Sequence, residues 1–268
     1  MSHDSVLTLD GVTPNSLGMG VFRRTQRPIL SSTVDTIVTV PGMHGAYDFG
    51  ATMGPKQFEL ECAFFAKNHI ELQQRVSALA AFLLDGDGRP RTMPIIFANQ
   101  PDRQYMVRYT GDLQIDRISG LGTFTLPFTA FDPFAYSTYW SHEINVDSLI
   151  VVDSDIYVDT AYEFFINSPQ AIPTYNTGNQ NAQPIIEITG AFSYLSLTVG
   201  GVEFIYTVPM SGTLTLDFQR KTARIGTQNV LQNTNARFGK LPVGISNIQV
   251  NGTGLNFNMT IKFRQKYA

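Results

Sequence analysis

The residues of this chain that are able to act as ligands or nucleophiles are few and scattered. Its four histidines are His3, His44, His69 and His142, and its one cysteine is Cys62. None stands in an HxH or HExxH pattern, and no second cysteine completes a sulfur metal site. His44 has the most suggestive setting, between Gly42 and Gly45 in the stretch VPGMHGAYDFG. A lone histidine still needs a partner acid or nucleophile to do general acid–base work, and a polar residue near a hairpin tip is the plainer reading. Cys62 sits in the apolar run FELECAFFA, where a thiol usually serves as a small hydrophobe. A single cysteine cannot form an internal disulfide, so the expected setting is a reducing cytosol.

Two acidic stretches carry the spacing of ion ligands. DGDG, Asp85 to Gly88, resembles a fragment of a calcium loop. It lacks the far bidentate acid that such a loop needs, and Arg-Pro-Arg follows instead. VVDSDIYVD places Asp153, Asp155 and Asp159 close together; weak binding of a divalent ion and the wet face of a strand are both open readings. No GxSxG elbow and no GxxxxGK[ST] loop occurs, and a glycosidase carboxylate pair cannot be located from a sequence.

These residues must be held by elements, and the elements are mostly strands. KQFELECAFFA alternates cleanly, with Phe58, Leu60 and Cys62 on one face and Gln57, Glu59 and Glu61 on the other, as in a half-buried strand. The β-branched run STVDTIVTV also reads as a strand. Between these two, Pro41 and Gly42 set a turn and Gly45 permits a left-handed backbone, which predicts a hairpin with His44 near its tip. One helix stands out, NHIELQQRVSALAAFLLDGDG. Asn68 is its expected N-cap, Glu71 follows three residues on, Leu72, Val76, Leu79, Ala80 and Leu83 form its apolar stripe, and Gly86 is the expected stop. MPIIFAN, QYMVRYTGDLQIDRI and LGTFTLPFTAFDPF read as further strands, the last ended by Asp132 and Pro133.

Past Tyr139 the texture changes. A mixed acidic and aliphatic stretch leads into NSPQAIPTYNTGNQNAQP, which reads as a loop rich in Asn, Gln and Pro. Short strands then recur with regular turn signals: IIEITG, YLSLTVGG, EFIYTV, GTLTLDF, ARIG, ISNIQVNG and NFNMTIKFR. That spacing is the mark of an antiparallel sandwich. The expected organisation is therefore an α+β unit over residues 1–139, an antiparallel sheet with one helix, and an all-β sandwich over 140–268.

Composition narrows the function. Of the 268 residues, only 15% are charged and the net charge is −3, against roughly 25% charged in typical soluble domains. Clustered Lys and Arg for binding phosphate are absent, which argues against nucleic acid as a specific partner. A sandwich also raises carbohydrate binding. Trp140 and Tyr157, Tyr162, Tyr175, Tyr194 and Tyr206 are the rings to consider. The N-terminus lacks the pattern of a signal peptide.

The order of motifs is more telling than any one of them. VPGMHGAYDFG lies between two strands; RVSALAAFLL, PIIFANQPDRQYMVRYTGDL and GLGTFTLPFTAFDPFAY follow; then YNTGNQNAQPIIEITG, GTLTLDF and FGKLPVGISNIQVNG. In this order, and over nearly its whole length, the chain resembles the distal tail proteins of long-tailed bacteriophages. The resemblance implies a virion component of the tail tip, assembled in the host cytoplasm. It implies a structural protein with no catalytic residues and no cofactor: a hexameric ring that joins the tail tube to the baseplate and surrounds the DNA exit channel. The first unit would build the ring, and the second would be a galectin-like platform. Implied partners are the tail tube protein, the tape-measure protein, the tail-associated hub protein and a receptor-binding protein or fibre, with DNA passing through unbound. Pro41, Gly42, His44 and Gly45, with Asp132 and Pro133, are the turn residues expected at or near subunit boundaries. A carbohydrate-binding module for host surface glycan is the alternative, and an enzyme is not expected.

Overall fold

A computed structural model of the chain describes residues 6–22, 27–118, 121–143 and 162–268. The chain divides into two compact units, Met1–Ala135 and Tyr136–Tyr267. Among the described residues it is mostly β, with one α-helix and three short 3-10 turns.

The first unit is a sheet with strands in the order β1 (Leu7–Leu9), β6 (Thr92–Phe97), β7 (Arg103–Tyr109), β9 (Leu121–Ala130), β5 (Lys56–Phe65) and β2 (Met19–Val21). Every neighbouring pair is antiparallel. A short strand, β8 (Asp116–Ile118), pairs with β9 beside β7. The run QYMVRYTGDLQIDRI thus gives two strands, because Gly111 at φ 88° turns the chain between them. The alternation of β5 is realised as read: Phe58, Leu60, Cys62 and Phe64 enter the core, and Gln57 and Glu59 are exposed on the other face.

Helix α1 (His69–Leu83) covers the core face. Asn68 caps it, its Oδ1 accepting from the backbone N–H of Ile70 at 3.0 Å and of Glu71 at 2.9 Å. Glu71 reaches back one residue further than a standard capping box, to the N–H of Lys67 at 2.8 Å. That bond first, and then Arg75, hold the Glu71 carboxyl below its usual pKa. The helix stops three residues before Gly86. Leu84 turns extended, at φ −108° and ψ 154°, and bridges Pro90. The DGDG segment is a self-satisfied loop in which Asp85 Oδ1 accepts from the N–H groups of Asp87 and Arg89, and Gly88 takes the left-handed conformation.

Two strands leave this sheet. β3 (Thr33–Val38) and β4 (Tyr47–Met53) pair only with each other, as a separate two-stranded ribbon.

In the second unit two antiparallel sheets bury one core. The larger runs β11 (Glu163–Ile166), β20 (Asn256–Lys262), β13 (Ile185–Phe192), β16 (Met210–Asp217), β17 (Thr222–Ile225), β18 (Gln228–Asn229). The smaller runs β12 (Gln170–Asn176), β19 (Gly244–Thr253), β14 (Tyr194–Val199), β15 (Val202–Tyr206). Ile186, Ile188, Leu214, Leu216, Met259 and Ile261 of the first meet Leu195, Leu197, Phe204, Ile248 and Val250 of the second. Two short strands, β10 (Ala135–Ser137) and β21 (Lys266–Tyr267), complete the described strands. Gly200 and Gly201, both at positive φ, close the tight β14–β15 hairpin.

The stretch NSPQAIPTYNTGNQNAQP is not all loop, since β12 lies within it. Its backbone pairs with β19 over seven residues, and Ile172, Thr174 and Asn176 are buried. Pro173 is tolerated because β12 is an edge strand.

Candidate functional site

The expected hairpin is present, and its chemistry is that of a surface meant to be covered. Val38 pairs with Tyr47. At the tip the N–H of Met43 donates to the Val40 carbonyl at 3.1 Å, with Pro41 and Gly42 between them. Gly42 lies at φ 83°, so this is a type II turn with proline and glycine at the positions that need them. Gly45, at φ 84°, turns the chain back. Pro41, Gly42, His44 and Gly45 therefore share one exposed loop. Asp132 and Pro133 lie elsewhere in the first unit, in the turn after β9, where Asp132 Oδ1 accepts from the N–H of Phe134 at 3.3 Å.

What sequence reasoning missed is the exposure of the ribbon. Among the described residues, nine of the eighteen exposed large apolar side chains fall between Ile29 and Phe49. Such a concentration marks a contact surface rather than the usual scatter of surface apolar residues. Ile37 and Val38 are consecutive, point to opposite faces, and are 57% and 48% exposed. Tyr47 and Phe49 share a face and are 56% and 69% exposed. A lone two-stranded ribbon is marginal in water, so this one gains stability when another surface covers it. The only sequence signal is the apolar content of both faces of TIVTV, which alternation alone assigns to a core.

A second surface is the sheet face opposite α1. Cross-strand pairs there are Gln57 with Thr129, Glu59 with Pro127 and Glu61 with Thr125. Two shallow depressions mark it. One, of about 460 Å³, is lined by Glu61, Asp112, Asp116 and Thr123 among others; the other, of about 450 Å³, by Gln57, Glu59, Thr110 and Phe131. The face is acidic and hydroxyl-bearing. Arg108 lies near it with its guanidinium 4.5 Å from the Phe131 ring.

The residues weighed for chemistry do not converge. Cys62 is 1% exposed, and burial pushes its thiol up to about 12, so at neutral pH it stays protonated. No group of three His, Cys, Asp or Glu side chains among the described residues is placed to hold a metal ion. His69 opens α1, His142 sits in a 3-10 turn, Ser141–Glu143, and His3, Tyr157, Asp153, Asp155 and Asp159 lie outside the described residues. Of the rings considered for sugar, Tyr162 and Tyr206 are buried, and the Trp140 ring has the Arg264 guanidinium 4.8 Å from its centre.

Residues 15–130 match the family model of the phage tail protein RIFT-related domain. That match spans most of the first unit and less than half of the whole chain. The whole chain shares the fold of the Dit protein of phage SPP1, a protein described as a paradigm of the hub adsorption apparatus in phages that infect Gram-positive bacteria. That match has a TM-score of 0.68 at 15% identity, over 98% of this chain and 99% of the other. A chain of the phage P2 baseplate in its activated conformation aligns over 94% of this chain and 91% of its own. Its identity is 8% and its TM-score 0.38, too low to argue from. No curated protein matches by sequence. The resemblance to distal tail proteins is thus borne out by the match to a phage tail domain in the first unit and by the fold shared with the SPP1 Dit protein over the full length.

Proposed function

We propose that this chain is a structural protein of the phage tail tip, with no catalytic role. Six copies form a closed ring that joins the tail tube to the baseplate and receptor-binding apparatus, and that ring surrounds the channel through which DNA leaves. The full-length match to a hub protein's fold carries this reading. The second unit, with two sheets on one core, is on this reading a galectin-like platform on the outside of the ring.

Three features of the chain support it. A ring consumes two different patches on each subunit, and such patches carry few charges, because burying unpaired ones is costly; a chain with 15% charged residues suits that. The exposed apolar ribbon supplies one patch. The acidic sheet face around Glu59 and Glu61 supplies a channel lining that repels phosphate, so that the genome slides past without binding. The tail tube protein, tape-measure protein and hub protein are the ring's neighbours on this reading, with a fibre or receptor-binding protein on the second unit.

Native mass is the direct test. Six copies of 29.7 kDa give about 178 kDa. A species of that mass, or of two stacked rings, is expected by sedimentation or native mass spectrometry. A chain that remains monomeric at every concentration, and that also forms no ring on purified tail tubes, overturns the proposal.

A further inference from the structure

We propose that the second unit carries a binding site for an acidic sugar, at the cavity walled by Tyr136, Trp140, Asn181, Gln219, Arg264 and Lys266. This goes beyond the ring reading above and does not depend on it.

The site begins in the stretch IKFRQKY, Ile261 to Tyr267. Burial alternates along it. Ile261, Phe263, Gln265 and Tyr267 are buried, and Lys262, Arg264 and Lys266 lie on the other side, partly exposed. Three cations thus share one side of the chain. Lys262 is taken by Glu187 at 2.7 Å. Arg264 forms no ion pair with a described residue.

A strap, Tyr136 to Ser141, is fixed alongside. The N–H of Ser137 donates to the Gln265 carbonyl and that of Ser141 to the Phe263 carbonyl, both at 2.9 Å. In return the Ser137 and Ser141 hydroxyls accept from the N–H groups of Gln265 and Phe263, both at 3.0 Å. These bonds set two rings beside the two cations. The Arg264 guanidinium lies 4.8 Å from the centre of the Trp140 ring, and the Lys266 ammonium 5.9 Å from that of Tyr136. Arg264 Nη1 donates to the carbonyls of Ser137 and Thr138, which fixes the head group. Its Nε and Nη2 donate to no described residue.

No acid lines the cavity. Glu143, whose charge acts on Arg264, has its Oε2 engaged by the Trp140 N–H at 3.1 Å. The cavity holds about 70 Å³, a little over two waters at about 30 Å³ each. That is room for a carboxylate or phosphate group and not for a sugar ring. A guanidinium with an ammonium beside it is the pairing such an anion takes. The rest of the wall points to what carries the anion. Asn181 and Gln219 are exposed, and their side-chain amides bond no described residue. An amide both donates and accepts, as a hydroxyl does. Two rings and two such amides at the mouth suit a polyhydroxylated ring; a bare ion needs neither.

Trp140 is the single tryptophan of the chain, so its emission in the full-length protein reports on this cavity. Glucuronate and glucose 6-phosphate are titrated against glucose and inorganic phosphate, by Trp140 emission and by calorimetry. The expected result is saturable binding of both acidic sugars with a Kd of about 1 mM or below, inorganic phosphate at least about tenfold weaker, and no binding of glucose. Lys266→Gln should weaken both acidic sugars about tenfold, as the loss of one charged hydrogen bond implies. Lys262→Gln, outside the cavity, should leave them unchanged. No saturable binding of either acidic sugar overturns the site. Inorganic phosphate bound as tightly as glucose 6-phosphate overturns the sugar and leaves an anion site only. Equal affinity in Lys266→Gln overturns the placement in this cavity. The wild-type titrations decide the proposal even where a variant fails to fold.

Discussion

The ammonium of Lys56 donates to the backbone carbonyl of Ile29 at 3.0 Å. The two residues flank the ribbon, twenty-seven positions apart in sequence, so this bond ties one root of the arm to the other. Lys56 is only 3% exposed, it also reaches the Tyr105 hydroxyl at 3.3 Å, and its ammonium lies 5.0 Å from that ring's centre. The N–H of Gly54 closes the same root on the Ser32 carbonyl at 2.7 Å. A buried charge satisfied in this way is a geometric clamp more than a source of stability.

Lys56→Met should therefore loosen the arm without unfolding the unit. Methionine fills similar space but bonds neither the Ile29 carbonyl nor the Tyr105 hydroxyl, and each lost hydrogen bond costs about 0.5–1.5 kcal/mol net. Limited proteolysis should cut between residues 28 and 55 several-fold faster than in wild type, with a modest fall in the urea midpoint. Equal cleavage rates refute the clamp.

Gly42→Val together with Gly45→Val should impair the hairpin and with it assembly. Both glycines are left-handed and both have open space around them, so the cost is backbone strain rather than collision, about 1–3 kcal/mol at each site. Tail assembly in a complementation assay should drop sharply. Normal tails from the double variant would show that this turn is dispensable.

Glu59→Lys with Glu61→Lys tests the channel lining. Reversing two charges per copy on the uncovered face should make the assembled protein retard duplex DNA at low salt, at least about tenfold more tightly than wild type, with the affinity falling steeply as salt rises. Genome ejection from phage carrying the variant should slow. No change in either readout places this face away from the channel.

Asn68→Ala removes both N-cap bonds of α1 and should cost about 1 kcal/mol, within a range of about 0.5–2. Urea denaturation checks it. Asn68→Asp keeps the acceptor and should keep most of the stability.

Cys62 gives a pH signature. The folded thiol holds its proton up to about 12, while the unfolded one loses it near 9.0. Its contribution is complete below pH 9 and is lost as pH rises from 9 toward 12. Wild type should therefore lose more stability than Cys62→Ala between pH 8 and pH 10.5. Native protein should resist alkylation at pH 8, and urea-unfolded protein should react promptly.

Local chemistry is legible in the amino-acid sequence alone. Pro41-Gly42 demands a turn with positive φ, Asn68 demands a helix start, and the alternation of Phe58, Leu60 and Cys62 against Gln57, Glu59 and Glu61 sets which face of β5 is buried. These follow from backbone sterics and side-chain period, which act within a few residues. Other features depend on partners distant in sequence. β12 becomes a strand because β19, some seventy residues away, offers it an edge. α1 ends before Gly86 because Leu84 bridges Pro90. Above all, STVDTIVTV and KQFELECAFF carry similar apolar content, yet β5 is buried between β9 and β2 while β3 stands in solvent with β4 alone. Burial is a property of what packs against a strand, and only the tertiary structure decides that. Here it leaves one apolar ribbon uncovered.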